Sequence, residues 1–276
     1  MAGTEIADAV RVTQTVNRAG MSVSIDNLGE NVTNPDEARH SAQLYHQILD
    51  AIVANQLDAN ISLKLTHMGL DIDEAMARDL VSGLVAKAAS MTPPGFVRVD
   101  MEGSPYTQRT LDFVRELHRR PGHGNKVGTV IQSYLKRSEK DVEDLLAEKI
   151  RIRLCKGAYK EPASIAYESK ADVDANYIRL MKMLLKSDVY HGLATHDENI
   201  IREAQAFATR EKIARDSFEF QMLYGIRRDL QQRLIRDGWR MRVYVPFGTE
   251  WYPYFMRRLG ERPANVFFIA RNLLRA

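Results

Sequence analysis

The chain has 276 residues, of which 45% are hydrophobic and 27% charged, and its formal net charge is +3. A chain of this length can bury one large core, and the absence of a basic stripe interleaved with aromatic residues argues against a nucleic-acid-binding protein. The single cysteine, Cys155, excludes a disulfide framework within the chain.

The sequence also bears on location. The first twenty residues lack the apolar core of a signal peptide, and no apolar stretch approaches the ~20 residues that a membrane-spanning helix needs. One cysteine fits a reducing compartment. We therefore expect a cytoplasmic protein, and peripheral contact with the surface of an inner membrane stays open.

Short runs rich in Val, Ile and Leu recur along the chain and predict buried strands. There are eight of them: MSVSI (21–25), ISLKL (61–65), FVRVDM (96–101), VGTVIQ (127–132), RIRLC (151–155), HGLAT (191–195), FEFQML (218–223) and RVYVP (242–246).

Longer amphipathic segments between these runs predict helices. The first begins at Asn34, a plausible N-cap, with Pro35 at the first helical position. The predicted helices cover residues 34–56, 71–89, 138–149, 172–187, 197–212 and 226–238, and residues 1–20 are expected to form a short N-terminal helical extension.

Alternation of strands and helices over this length predicts an α/β fold, a (β/α)₈ TIM-type barrel that occupies residues 1–276 as a single domain. The competing architecture is a doubly wound sheet. It is disfavoured because no G-x-G-x-x-G motif follows the first strand.

Polar residues cluster where the predicted strands end, which is the catalytic face of such a barrel. Charged groups are almost never fully buried unless they are paired, so this number of them at one end favours a polar ligand. Each could instead be an ordinary ion-pair partner, Thr195 and Asp197 could simply cap a helix, and Glu219 and Gln221 could fill the barrel. The residues are Lys64, Asp100, Glu102, Gln132, Arg153, Lys156, Thr195, His196, Asp197, Glu219, Gln221 and Tyr244.

The segment after the eighth strand carries adjacent arginines, Arg257 and Arg258, with Glu261 one turn on. They could form a carboxylate clamp or a solvated salt bridge, and the sequence leaves both open. Metal binding is not expected, because the spacing around His118 and His123 matches no zinc site. A serine triad is not expected either, since no G-x-S-x-G elbow occurs.

Seven stretches together resemble the proline dehydrogenase family, from the first strand to the last helix. They are SIDNLGE (24–30), ISLKLTHMGL (61–70), VRVDME (97–102), LCKGAYKEP (154–162), ATHD (194–197), EFQMLYG (219–225) and YVPFGTEWYPYFMRRLGE (244–261). The family is a flavin-dependent (β/α)₈ barrel. The resemblance therefore implies oxidation of L-proline to Δ1-pyrroline-5-carboxylate, by hydride transfer from proline C5 to flavin N5, with FAD as cofactor and FMN not excluded.

The resemblance also implies roles for individual residues. Asp100 and Arg153 would be the catalytic positions, Tyr244 would pack on the proline ring, and Glu30 would act as a gate by pairing with Arg258. The proline carboxylate would be bound by Lys64, Arg257 and Arg258, and the flavin by Val99, Gln132, Arg153, Lys156, Gly157, Ala158, Thr195 and His196.

The implied partners are L-proline, a quinone or another electron acceptor, and a separate pyrroline-5-carboxylate dehydrogenase, with no nucleic acid. Two other functions stay open at this point. A Schiff-base aldolase would use Lys64 or Lys156 as its nucleophile, and a sensor would bind the ligand without turnover.

Overall fold

The computed structural model describes residues 1–30, 32–252 and 256. Within them, eight parallel strands follow one another around a closed barrel. The strands are β1 (Ser22–Asn27), β2 (Ala59–Leu63), β3 (Val97–Val99), β4 (Val127–Gln132), β5 (Arg151–Cys155), β6 (His191–Ala194), β7 (Phe218–Leu223) and β8 (Arg240–Phe247).

Helices lie between the strands, and one precedes the barrel. They are α1 (Ile6–Arg18), α2 (Pro35–Ala54), α3 (Glu74–Ser90), α4 (Ser104–Arg119), α5 (Ser138–Ala147), α6 (Lys170–Leu185), α7 (Glu198–Arg210) and α8 (Arg228–Arg236). Short 3₁₀ helices occupy Thr66–Met68 and Gly124–Lys126. Within the residues described, no helix is both long and apolar enough to cross a membrane.

The barrel closes through the pairing of β1 with β8. Val23 lies opposite Val243 and Ile25 opposite Val245, while the other edge of β1 pairs with β2. Helix α1 covers this seam from outside, since it packs against both β1 and β8 and buries Ala9 there.

Helix starts follow local capping chemistry. The side chain of Asn34 accepts hydrogen bonds from the backbone N–H groups of Asp36 and Glu37, at 3.1 and 3.0 Å, and Pro35 opens the helix. Asp73, Ser169 and Asp197 cap α3, α6 and α7 in the same way. Such caps satisfy N–H groups that have no partner within the helix.

The predicted barrel and all eight predicted strands are confirmed, with boundaries that shift by a few residues. Each of the six predicted helices and the N-terminal helix is also present. Helix α4, Ser104–Arg119, was not assigned from the sequence; its buried residues Leu111, Val114 and Leu117 follow helical spacing.

The inside of the barrel is unusually polar. Outward-facing residues such as Ile25, Val99 and Phe220 are apolar and pack in the main core with the helices. Barrel interiors are usually filled by branched aliphatic side chains. Here they contain buried, mutually hydrogen-bonded polar groups: Ser24, Asp26, Ser62, Asp100, Arg153, Glu219 and Gln221.

Candidate active site

An ion pair between Asp100 and Arg153 lies at the centre of the barrel mouth. Nη1 of Arg153 donates to Oδ1 of Asp100 at 2.7 Å. Arg153 also donates to the hydroxyls of Ser62 at 3.1 Å and Ser24 at 3.2 Å. Both charged side chains are buried. Because one cation is held from three strands, its position is fixed before any ligand arrives.

The hydroxyl of Tyr244 lies between the carboxylate of Asp100 and a second carboxylate, that of Asp26. This hydroxyl lies 2.7 Å from Oδ2 of Asp26 and 3.0 Å from Oδ2 of Asp100, and the ring of Tyr244 lies under the guanidinium of Arg153 at 5.2 Å. One phenol hydrogen can serve only one of the two carboxylates. Burial raises the pKa of Asp26, and the nearby charge of Asp100 raises it further against the opposing effect of Lys64.

Lys64 follows β2 and faces two carboxylates. Its Nζ lies 3.7 Å from Oδ2 of Asp26 and 3.8 Å from Oε1 of Glu30. Burial alone would lower the pKa of Lys64, but the charges of these two acids and of Asp100 outweigh burial and hold the pKa above its ordinary value. Lys64 is therefore a permanent cation at the mouth.

A second group of charges surrounds Lys156, just beyond β5. Its Nζ lies 2.5 Å from Oδ1 of Asp174 and 2.9 Å from Oδ2 of Asp197. Although burial opposes it, the hydrogen bond from Lys156 lowers the pKa of Asp197 to about 2. Asp197 also caps α7, so the helix-cap interpretation of this residue is confirmed, and the cap holds the Lys156 ammonium in place.

His196 has a defined tautomer. Its Nε2 accepts a hydrogen bond from the backbone N–H of Leu223 at 3.0 Å, which a protonated Nε2 could not do. A neutral ring then carries its hydrogen on Nδ1. The hydroxyl of Thr195 accepts from the backbone N–H of Asp197 at 3.0 Å.

A cavity of about 960 Å³ opens above these groups. It brings together most of the site residues predicted from the sequence, namely Glu30, Lys64, Asp100, Gln132, Arg153, Lys156, Gly157, Ala158, Thr195, His196 and Tyr244. Val99 does not line it; this residue is buried in β3. Arg257 and Arg258 lie outside the described residues, so the carboxylate clamp stays a prediction.

Two features of the cavity wall are adapted to a close ligand. The Oε1 atom of Gln132 is buried and has no hydrogen-bond partner among the described residues. Gly157 has φ +111°, and a Cβ there would lie 2.3 Å from the ring of Tyr134. Glycine is thus required at the point where the backbone turns along the cavity.

Several site residues were missed in the sequence. Asp26 lies within β1 and contacts Tyr244, and Tyr45 on α2 donates to it at 3.2 Å. Ser24 and Ser62 anchor Arg153. Asp26 was part of the SIDNLGE stretch, and its acidic side chain in an otherwise buried strand was the available signal. Over the described part of the chain, no cluster of three or more His, Cys, Asp or Glu side chains could hold a metal ion.

Comparison with known proteins bears on the family and the fold. A family model described as proline dehydrogenase matches residues 9–271. Proline dehydrogenase 1 of Bacillus subtilis subsp. natto is 40% identical over 275 residues, which cover 100% of this chain and 89% of that protein. Proline dehydrogenase of Deinococcus radiodurans is 41% identical over 279 residues, with the same two coverages.

Among solved structures, proline utilization A (PutA) from Bdellovibrio bacteriovorus, inactivated by N-propargylglycine, superimposes with a TM-score of 0.87 at 25% identity. PutA from Bradyrhizobium japonicum gives a TM-score of 0.80 at 23% identity, which supports the fold alone. The match covers 94% of this chain but only 32% and 30% of those longer chains. Taken with the full-length family match, these findings show that the chain belongs to the proline dehydrogenase family.

Proposed function

We propose that this protein oxidises L-proline to Δ1-pyrroline-5-carboxylate with a bound flavin. The observation that carries the proposal is the buried Asp100–Arg153 pair beside Tyr244 and Lys64, at the mouth of a cavity with room for a cofactor and a small amino acid. Family membership supports proline as the substrate.

The cavity fits a flavin in its size and its polar groups. Its volume of about 960 Å³ is at the upper end of the usual range for ligand pockets. Gln132 offers a buried amide oxygen to a ring N–H, and the backbone at Gly157 and Ala158 can approach closely. Lys156 would supply a cation, and His196 a hydrogen-bond donor, to the polar groups of the flavin beyond its ring. We therefore propose FAD as the cofactor, and cofactor analysis would distinguish it from FMN.

The bound flavin would supply a two-electron acceptor for hydride. In proline, the C5–H bond breaks with its electron pair, the nitrogen loses a proton, and a C=N bond forms. Arg153 would stabilise the negative charge that develops on the reduced ring, since a fixed cation in a water-poor site acts more strongly than in water. Asp100 holds that cation in place at 2.7 Å.

Substrate recognition would rest on the proline carboxylate. Lys64 is a permanent cation on the cavity wall, and its two carboxylate neighbours lie at 3.7 and 3.8 Å, too far for short hydrogen bonds. Arg257 and Arg258 would complete the clamp, with Glu30 as the gate. Tyr244 would pack against the ring carbons.

Electrons would then pass to a quinone-type acceptor, and peripheral contact with a membrane surface would bring the protein to such an acceptor. The product would be oxidised further by a separate pyrroline-5-carboxylate dehydrogenase. Both assignments extend the resemblance and need their own tests.

The aldolase alternative is disfavoured by the state of Lys64. A Schiff-base lysine must be neutral to attack a carbonyl, which requires a lowered pKa. Here carboxylates raise it. Lys156 is engaged by two carboxylates, Asp174 and Asp197.

The test is product analysis. The purified protein is incubated with L-proline and a quinone, and the mixture is analysed by mass spectrometry for loss of two hydrogens from proline. The proposal expects this product in the presence of flavin only. Covalent trapping of an aldehyde or ketone substrate on a lysine by borohydride, without flavin, would favour the aldolase, and proline binding without any product would favour the sensor.

A further inference from the structure

We infer that Gln221 and Glu219 are positioning residues that hold the guanidinium of Arg153 in its working orientation. The inference rests on the proposed function, in which Arg153 lies beside the flavin. Both residues come from β7, face the inside of the barrel and are buried; Gln221 lines the cavity, and Glu219 lies two residues before it on the same strand.

Gln221 holds Arg153 through Nε, a nitrogen that Asp100 does not contact. Oε1 of Gln221 accepts from Nε of Arg153 at 2.6 Å, whereas Asp100 accepts from Nη1. Bonds at two edges of a planar guanidinium fix both its position and its tilt. Loss of the Gln221 bond would leave the guanidinium held only at Nη1 and Nη2, by Asp100, Ser62 and Ser24.

Glu219 determines which end of the Gln221 amide faces Arg153. Arginine can only donate and an ionised carboxylate can only accept, so Nε2 of Gln221 must face Glu219, and the distance is 2.6 Å. Burial would raise the pKa of Glu219, but the charge of Arg242 and its hydrogen bonds outweigh burial and lower it. Glu219 therefore stays ionised and keeps the amide oriented.

Glu219 is itself anchored at the opposite end of the barrel. Nε of Arg242 donates to its Oε1 at 2.6 Å, and the hydroxyl of Tyr190 donates to its Oε2 at 3.0 Å. Arg242 in turn donates to the carbonyl of Val23 on β1 at 2.8 Å. A continuous chain of hydrogen bonds thus runs along the barrel interior from Arg242 to Arg153 and Asp100.

The backbone makes room for this chain at one glycine. Gly192 on β6 lies between Arg153 on β5 and Glu219 on β7 in the strand register. A Cβ at Gly192 would lie 2.3 Å from Nε2 of Gln221. The amide therefore occupies space that any other residue on β6 would take.

Two substitutions at Gln221 separate positioning from simple filling of the core. Gln221→Glu keeps an oxygen opposite Arg153, whereas Gln221→Leu removes the acceptor. A buried carboxyl next to Glu219 is the worse core residue, and leucine is the better one. A filling role therefore predicts that the leucine variant works better, and a positioning role predicts the reverse.

The measurements are the limiting rate of anaerobic flavin reduction and the flavin midpoint potential, which a dye-coupled titration gives without proline. The Arg153→Met variant gives the reduction rate and the midpoint potential when the guanidinium is absent altogether. Tyr177→Phe is the control, because it removes a buried hydrogen bond to the carbonyl of Leu154 on the same strand and leaves the Arg153 side chain untouched. Thermal unfolding confirms that the variants are folded.

We expect Gln221→Leu to slow reduction by about tenfold or more, the range for one hydrogen bond to a charged group, and to make the potential more negative. Gln221→Glu should stay within a few-fold of wild type, and Glu219→Gln should fall between. If the Gln221→Leu variant is not folded, the Glu219→Gln variant tests the inference through the same two measurements, the reduction rate and the midpoint potential.

Equal flavin reduction rates and equal midpoint potentials in the Gln221→Leu variant and the wild-type protein would overturn the inference. Wild-type flavin that L-proline fails to reduce would instead overturn the proposed function, while the potentials would still test the positioning of Arg153.

Discussion

Lys64 and Arg153 keep their charges in the same cavity by different means. Lys64 is surrounded by the carboxylates of Asp26, Asp100 and Glu30, which raise its pKa despite burial. Arg153 has one close carboxylate, Asp100, and otherwise neutral partners. This division suits the two tasks. In the proposed function, Lys64 would exchange these weak contacts for the substrate carboxylate, and Arg153 would stabilise the electron-rich ring of the reduced flavin.

His67 is a buried residue whose protonation should limit stability in acid. It lies after β2 against Gly29, where a Cβ would come within 2.2 Å of its ring. Burial lowers its pKa to about 4, with a further contribution from the charge of Lys64. Because the unfolded chain keeps the ordinary value of 6.5, it binds more protons than the native state between these values, and stability falls as the pH falls through this window.

Protonation of His67 should lower the free energy of unfolding by roughly 2–3 kcal/mol between about pH 7 and pH 4.5. We predict that the His67→Gln variant does not show this loss of stability. Urea unfolding at the two pH values measures it. His40→Gln, at an exposed position, is the matched control and should keep most of the pH dependence, because burial and Lys64 lower the pKa of His67 more than the charge of His40 does. An unaltered pH dependence in His67→Gln would show that this histidine is not buried in its neutral form.

At the scale of elements, α1 has the unusual task of closing the seam of the barrel. It packs on β1 and β8, the first and last strands, and buries Ala9, Thr13 and Val16. Backbone hydrogen bonds from Ala2 to Pro246 and from Gly248 to Gly3, both at 3.0 Å, tie the N-terminal residues to the end of β8.

We predict that Val16→Asp destabilises the protein by a few kcal/mol, because it would place an unpaired carboxylate in the contact between α1 and the barrel. Thr15→Asp, at an exposed position of the same helix, controls for helix propensity and should cost well under 1 kcal/mol. The free energy of unfolding in guanidinium chloride measures both. Equal effects of the two substitutions would mean that α1 is not docked on the seam.

For the whole molecule, the local pattern of the chain was sufficient to predict the barrel. A (β/α)₈ barrel repeats one short-range unit, so the alternation of strands and helices predicted a parallel α/β fold. The absence of a G-x-G-x-x-G motif then favoured the barrel over a doubly wound sheet. The same reasoning located Lys64, Asp100, Arg153 and Tyr244, because each lies on a predicted strand or near its end. Recognition of the family through its motifs supplied their roles.

What the sequence did not show depends on closure of the barrel. Asp26 and Tyr244 are 218 positions apart and meet only because β1 pairs with β8. From the sequence, Glu219 and Gln221 could be side chains that only fill the barrel. The structure shows that Gln221 accepts a hydrogen bond from Arg153 and donates one to Glu219. Helix α4 was missed although its apolar residues are spaced as in the other helices.

The central claim is that proline delivers its electrons to a flavin held at this barrel mouth. Anaerobic titration of the purified, flavin-loaded protein with L-proline, followed through the visible flavin absorbance, tests it most directly. We predict that the band bleaches as L-proline is added, that D-proline has little effect, and that Arg153→Met bleaches far more slowly at the same flavin occupancy. A flavin band that persists in excess L-proline, in a protein shown to be folded and loaded, would contradict the account.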